Sequence, residues 1–340
     1  MIKLLSLFSG IGAFEKALTN LGVQYEVVNY CEIDKYASKS YSVIHGIPES
    51  KNLWDITKVD VLNLPKDIDL LTYGFPCQDI SLAGKQKGMF NEDGTLTRSG
   101  LFFKALDIIE SVKPKIAIAE NVKALTSKKF TEEFKIVLDS LEKAGYHNYW
   151  QVLNAKDYGI PQNRERVFIV SIRKDIDHYI FEFPKPYILE KRLKDFLEPH
   201  VDEKYYLSDK MIGYISATGT ATIVNGDIKP KLVGGIGDKK SNGGTQYYQQ
   251  DRIYDSESIA MAHPANLTSG SYYYQVNTQP LRIRKLTPKE CFRLMGFSDE
   301  DFEKSKSVPT SNTQLYKQAG NSIVVNVLER IFNNLLIKDN

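Results

Sequence analysis

Hydrophobic positions in the first half of the chain follow two alternating rhythms. Short apolar runs of strand type lie at 3–8, 26–30, 69–73, 116–119, 150–153 and 167–172. Between them, 13–21, 34–45, 101–112 and 131–144 carry apolar residues at helical spacing. Leu101, Ala105, Ile108, Ile109 and Val112 form one such stripe, and Gly145 stops the helix before it. Strand and helix in alternation predict βαβ units and a mostly parallel sheet. The rhythm fades after about residue 174. Segment 229–274 is rich in Gly, Ser, Asn, Gln and Tyr, which predicts loops and short strands of the kind that carry recognition. Regular helix signals return at Thr287, an N-cap, with Pro288 at the first helical position and Glu290 closing a capping box. A last helix is predicted over 322–336, with Asn321 or Ser322 as its cap.

Composition bounds this picture. A chain of 340 residues, 42% hydrophobic, can fill one large domain and a smaller one. No run of about 18 apolar residues predicts a membrane span, and Met1-Ile2-Lys3-Leu4-Leu5 lacks the plan of a signal peptide. The three cysteines, Cys31, Cys77 and Cys291, have no metal-ligand spacing and are odd in number. This predicts no disulfide framework, no metal, and a reducing, cytoplasmic setting. A net charge of +2 does not by itself name nucleic acid as a partner.

The candidate chemistry gathers where strands end. Gly74-Phe75-Pro76-Cys77-Gln78 follows the run Ile68–Tyr73, so a thiol is offered at a strand's carboxyl end, where open α/β sheets bind ligands. Phe8-Ser9-Gly10-Ile11-Gly12 follows the first strand and opens a helix, and Glu32 ends the second strand about twenty residues on. The residues alone leave this as a nucleotide-type site or a plain tight turn. Glu15 stands where a third glycine would complete a dinucleotide fingerprint. Glu120, beside Asn121, is either a proton donor to a substrate ring nitrogen or a structural carboxylate. Arg164 and Arg166 alternate on an extended segment and would project together, suited to a carbonyl, carboxylate or phosphate, unless the segment is an edge strand with solvated charges.

In this order the motifs resemble those of one family, the DNA (cytosine-5) methyltransferases in their compact bacterial form. The likeness spans residue 4 to about 332. It rests on Phe8–Gly12, Glu32 with Asp34, Trp54-Asp55-Ile56, Gly74–Gln78 and Ser81 with Gly84–Gly88. It continues through Leu101-Phe102-Phe103, Glu120-Asn121-Val122, Gln162-x-Arg164-x-Arg166, Arg284–Glu290 and Gln318-x-Gly320-Asn321-Ser322. The resemblance implies a doubly wound, Rossmann-like α/β domain that binds S-adenosylmethionine, and a smaller, loop-rich target-recognition domain. The expected boundaries are 1–185 for the catalytic domain, 186–283 for recognition, and 284–340 for a segment that returns to complete the catalytic domain.

The same resemblance implies roles. Phe8 would stack on the cofactor's adenine, Glu32 would hold its ribose, and Asp55 and Ile56 would flank the base. Gly10, Gly12, Ile33, Pro76, Leu101, Asn321 and Ser322 would complete the pocket. Cys77 would add to C6 of a target cytosine, Glu120 would protonate N3, Arg166 would bind O2, and Asn121 and Arg164 would complete the catalytic set. The base must leave the duplex for this chemistry. Gln78, Ser81, Lys85 and Lys87 would meet DNA from a closing loop, and Gln249 and Arg252 would read bases. Tyr272-Tyr273-Tyr274 reads as a core strand in preference to the alternative, a stacking surface. Duplex DNA is the expected partner, with a cognate restriction endonuclease acting separately. A monomer without membrane association, on the nucleoid when bound to DNA, is the expected state.

Three rivals remain at this stage. RNA methylation is disfavoured because the Cys-Phe-Thr triplet of that branch is absent, Cys291-Phe292 running on into Arg293. A catalytically silent DNA-binding protein is disfavoured by the intact Cys77, Glu120 and Arg166. A nicotinamide oxidoreductase is disfavoured by Glu15 and by the Pro-Cys-Gln turn.

Overall fold

The computed structural model describes residues 1–76, 97, 99–178, 180–212, 215–217, 229–236, 247–248, 251–264, 272–276 and 282–337. The chain divides into two compact units. The first comprises Met1–Leu153, Glu165–Lys185 and Val327–Asn340, and the second comprises Asn154–Arg164 and Pro186–Asn326. The expected domain boundaries at 185/186 and 283/284 therefore differ from the packing at two places. Residues 154–164 group with the second unit, and so do 284–326, which the sequence reading returned to the catalytic domain.

The first unit is a six-stranded sheet with helical crossovers. Its elements are β1 (Ile2–Leu7), α1 (Ala13–Asn20), β2 (Tyr25–Cys31), α2 (Lys35–His45), β3 (Leu70–Tyr73), α3 (Phe102–Val112), β4 (Ile116–Val122), α4 (Thr131–Lys143) and β5 (Tyr146–Asn154). A two-residue strand in the second unit, β6 (Gln162–Asn163), precedes β7 (Glu165–Arg173), which returns to the large sheet. Strand order is β2-β1-β3-β4-β7-β5. Strands β1 to β4 pair in parallel, and β7 runs antiparallel to β4. The order reverses at β1, so the loops after β1 and β3 leave the same sheet edge side by side, the position where such sheets bind ligands. This is the doubly wound α/β architecture that the alternating pattern predicts.

The local causes are legible. On one sheet face Leu5 and Leu7, Leu71 and Tyr73, Ala117 and Ala119, and Val167 and Ile169 alternate into a buried cluster with Phe75 and Phe102. Burying a side chain such as Phe102 contributes roughly 1.5–3 kcal/mol. Helix α2 begins where Asp34 Oδ1 accepts from the Tyr36 and Ala37 amides, and ends at Gly46 with φ 68°.

The second unit holds a short helix, α5 (Asp209–Ile212), and strands β8 (Ile215–Ala217), β9 (Leu232–Ile236), β10 (Arg252–Asp255), β11 (Ala260–Met261), β12 (Tyr273–Val276) and β13 (Arg282–Lys285). Five of these form a sheet in the order β13-β12-β10-β9-β8, and β11 pairs with β6. Tyr272 and Tyr274 are buried, as a core strand requires. Helices α6 (Pro288–Arg293), α7 (Asp299–Ser307), α8 (Asn312–Asn321) and α9 (Val325–Phe332) follow. The Thr287/Glu290 capping box opens α6 as expected. The predicted last helix needs correcting. Gln318–Asn321 closes α8, Ser322 is that helix's C-cap, and the next helix starts only at Val325. Neither Asn321 nor Ser322 is its N-cap. Among the described residues, no helix is long and apolar enough to cross a membrane.

Candidate active site

The carboxyl edge of the first unit's sheet brings most of the expected cofactor residues together. Phe8 and Gly10 leave β1 with φ of 52° and 56°, and Gly12 follows at 79°. The Glu32 carboxylate spans the loop: its Oε2 accepts from the Gly10 amide at 2.8 Å and its Oε1 from the Asp34 amide at 2.7 Å. A carboxylate accepts hydrogen bonds only, the chemistry that sugar hydroxyls call for. Among the described residues, a Cβ placed on Gly10 would meet nothing within 4 Å, so none of them fills the space beside this part of the loop. Phe8 and Leu101 pack partly buried against the core cluster that contains Ile56. Ile33 is 70% exposed, an apolar side chain that the fold leaves uncovered beside Glu32. These groups fit an adenosyl ligand, with an acid for hydroxyls, apolar side chains for a base, and bare backbone for close approach.

Three expected members are engaged differently. Asp55 Oδ1 accepts from the Thr57 amide at 3.0 Å and from Thr57 Oγ1 at 2.7 Å, capping the turn Ile56–Lys58. Those bonds hold its carboxyl below the usual range. Asn321 is exposed and Ser322 buried, both in the second unit.

Several residues that shape this edge escaped the sequence reading. Asn52 Oδ1 accepts from the Glu32 amide at 3.0 Å and from the Trp54 amide at 2.8 Å, and Asn52 Nδ2 donates to the Glu32 carbonyl at 3.0 Å. From α2, Tyr41 donates to Glu15 Oε1 at 2.9 Å, and one turn later His45 Nε2 lies 2.9 Å from the Ile11 carbonyl. Because a carbonyl only accepts, Nε2 carries the hydrogen. A side chain on Gly12 would overlap the His45 ring. The i, i+4 spacing of Tyr41 and His45 was a visible signal, but nothing in it names the loop they reach.

The catalytic candidates lie at the ends of β4 and β7. Because β7 is antiparallel to β4, its first residues sit at β4's carboxyl end: Glu120 pairs with Phe168 and Val122 with Arg166. This register sets Arg166 Nε 2.9 Å from Glu120 Oε1, with both side chains mostly covered. Asn121 is buried, and its Nδ2 donates to the Phe75 carbonyl at 3.1 Å while its Oδ1 accepts from the Val122 amide at 2.8 Å. That bond fastens the Gly74-Phe75-Pro76 turn to β4. Cys77, Gln78, Ser81, Lys85, Lys87 and Gln249 lie outside the described residues. The other two thiols are poor nucleophiles. Burial, then the nearby Glu32 and Asp55 carboxylates, pushes Cys31 up to about 12, and burial pushes Cys291 well above the usual thiol range.

Arg164 does not join Arg166. It is 4% exposed and belongs to the second unit, where Nη1 donates to the His263 carbonyl at 3.2 Å and Nη2 to those of Gly320 and Ser322 at 2.9 and 2.7 Å. The guanidinium thus satisfies carbonyls that the end of α8 leaves without helical partners. Alternation on an extended segment predicted a shared direction; chain packing gave the two arginines different tasks. In β10, Arg252 Nε donates to the Tyr247 carbonyl at 3.2 Å. His263 is buried, and its pKa falls to about 4, first through burial and then through the Arg164 charge.

Residues 2–336 match the family described as C-5 cytosine-specific DNA methylase. An orphan methyltransferase of Bacillus phage SPR is 34% identical, over 98% of this chain and 97% of that protein. The type II methyltransferase M.HhaI of Haemophilus parahaemolyticus is 36% identical, over 98% and 94%. Among solved structures, the Entamoeba histolytica methyltransferase EhMeth matches with a TM-score of 0.73 at 18% identity, covering 100% of this chain and 99% of that one. The S. pombe Dnmt2 methyltransferase matches at 0.67 and 22%, with the same coverage. At these identities the structural matches speak to fold.

Proposed function

Because the chain belongs to the C-5 cytosine-specific DNA methylase family, we propose that it methylates C5 of a cytosine in duplex DNA, using S-adenosylmethionine and a base turned out of the helix. The observation that carries this is the Glu120–Arg166 pair, with Asn121 beside it anchoring the turn that leads into Cys77.

The methyl donor supplies an electrophilic carbon. The rest falls to the chain. Glu32, Phe8, Gly10, Ile33 and Ile56 would hold its adenosine at the sheet edge, with Gly12, Asp55, Pro76 and Leu101 completing the set on that unit. C5 of cytosine is too weakly nucleophilic to react alone. Addition of the Cys77 thiolate to C6 breaks the ring's aromaticity and moves electron density onto C5. Glu120 holds a proton at N3, which draws electrons out of the ring and favours that addition. Arg166, aligned by Glu120, donates to O2. After C5 gains its methyl group, loss of the C5 proton re-forms the double bond and expels Cys77 as thiolate. Gln78, Ser81, Lys85 and Lys87 would meet the base and its phosphates. The second unit, with Gln249 and Arg252, supplies target recognition.

Cys77→Ser should abolish methyl transfer while DNA binding persists. A duplex carrying 5-fluorocytosine at the target should trap the parent protein covalently, since fluorine cannot leave as the proton does. Near-normal turnover by Cys77→Ser, or no denaturant-stable adduct with the fluorinated duplex, would refute the covalent route.

A further inference from the structure

Trp54 has no role in the scheme above, yet its backbone is strained. Its φ is +59°, in the left-handed region that a bulky non-glycine side chain rarely adopts. The strain is held in place on both sides. The Trp54 amide donates to Asn52 Oδ1 at 2.8 Å, and its carbonyl accepts from Cys31 Sγ at 3.0 Å. The preceding Leu53 amide donates to the Tyr30 carbonyl at 2.7 Å. This framework is also that of Glu32, whose amide meets the same Asn52 oxygen at 3.0 Å. Trp54 and Glu32 are thus fixed by one side chain at the carboxyl end of β2. Despite this investment in its backbone, the indole is 42% exposed, and Ile33, next to Glu32, is 70% exposed. Strain maintained by surrounding structure at an uncovered aromatic side chain is a mark of function rather than of packing.

We propose that Trp54 is a further ligand-binding residue of this site: its indole forms an aromatic wall against the adenine end of the S-adenosyl ligand, on the Glu32–Ile33 side. The proposal rests on the assignment of this edge to that ligand. An aromatic ring with both hydrogen-bonded flanks fixed offers a base a flat apolar face at little cost in conformational freedom. Glu32 binds hydroxyls from the same frame, so the distance between hydroxyl and base contacts is built in. Glycine would adopt this φ without strain but would leave the base one apolar face short.

The protein has two tryptophans, Trp54 and Trp150. Trp150 lies on β5, edge-on to Phe134 at 4.9 Å. The Trp150→Phe protein therefore reports on Trp54 alone. Titrated with S-adenosylhomocysteine, its indole emission should change saturably, while Trp54→Phe should keep binding with little emission change. Trp54→Gly should melt at or above the parent temperature without ligand, because the strain is gone, yet bind S-adenosylhomocysteine about five- to tenfold more weakly by calorimetry. A residue that only braces the fold would instead lower the ligand-free melting temperature and leave affinity intact. Parent-like affinity in Trp54→Gly, or unchanged Trp54 emission at saturation, overturns the proposal. So does emission that responds to duplex DNA but not to S-adenosylhomocysteine. If the parent itself fails to bind S-adenosylhomocysteine, the ligand assignment falls first; if the parent binds and Trp54→Gly binds equally, only the role of Trp54 falls.

Discussion

Replacing Gly12 by alanine tests how the loop after β1 is held. Two separable effects follow from the structure. At φ 79° and ψ 53°, an L-residue sits in the left-handed region, at roughly 1–2 kcal/mol. The new methyl group would also overlap the His45 ring and lie 3.0 Å from Tyr41 Cδ2. His45 must then swing away and lose its bond to the Ile11 carbonyl, about 0.5–1.5 kcal/mol. Gly12→Ala should therefore destabilise the protein by about 2–3 kcal/mol. In a His45→Ala background the overlap is gone and the bond already lost, so the same substitution should cost only the backbone part. The double mutant should be about 1 kcal/mol more stable than the sum of the single effects. Urea denaturation of the four proteins, with a common slope, measures this. Additivity within about 0.3 kcal/mol would mean that His45 does not occupy the space glycine leaves, and the account of this loop would be wrong.

Two more expectations concern the second unit. His263 is held neutral, with a pKa near 4 against an ordinary value of 6.5, so the unfolded chain takes up a proton more readily between those values. Stability is then complete above about pH 6.5 and falls as pH drops toward 4. The loss at pH 5 is about 2 kcal/mol relative to pH 7.5. Denaturation at the two pH values, compared with His263→Gln, checks it; an equal slope in both proteins would contradict the assignment. Arg284 and Glu290 form a buried, two-pronged ion pair, 2.8 and 2.6 Å, whose carboxylate also accepts from the Thr287 and Glu198 amides. Glu290→Gln, which leaves the guanidinium charge buried without its counter-charge, should cost about 3 kcal/mol or more, whereas a change near zero in a melting experiment would show the pair to be dispensable.

What the sequence alone determined was local. The elements of the first unit follow from periods of two and 3.6 residues and from Gly145 as a stop, and the Thr287/Glu290 capping box marks a helix of the second unit, because each signal acts within a turn or two of its own position. The order of motifs was enough to indicate the family, since short segments carry the groups the chemistry needs. What lay beyond reach were contacts across the chain. Nothing in the spacing of Arg164 and Arg166 reveals that one would brace the end of α8 and the other align with Glu120, because that outcome depends on β7 pairing antiparallel with β4. Similarly, Asn321 or Ser322 reads as the cap that opens a last helix, yet Asn321 closes α8 and Ser322 is its C-cap, because Leu315, Tyr316 and Ala319 bury an apolar face upstream. Asn52, Tyr41 and His45 are ordinary residues in sequence. Only the tertiary structure brings them, from 20 to 34 positions away, against Glu32, Glu15 and the glycine loop, where hydrogen bonds left unmade by a turning backbone must find partners.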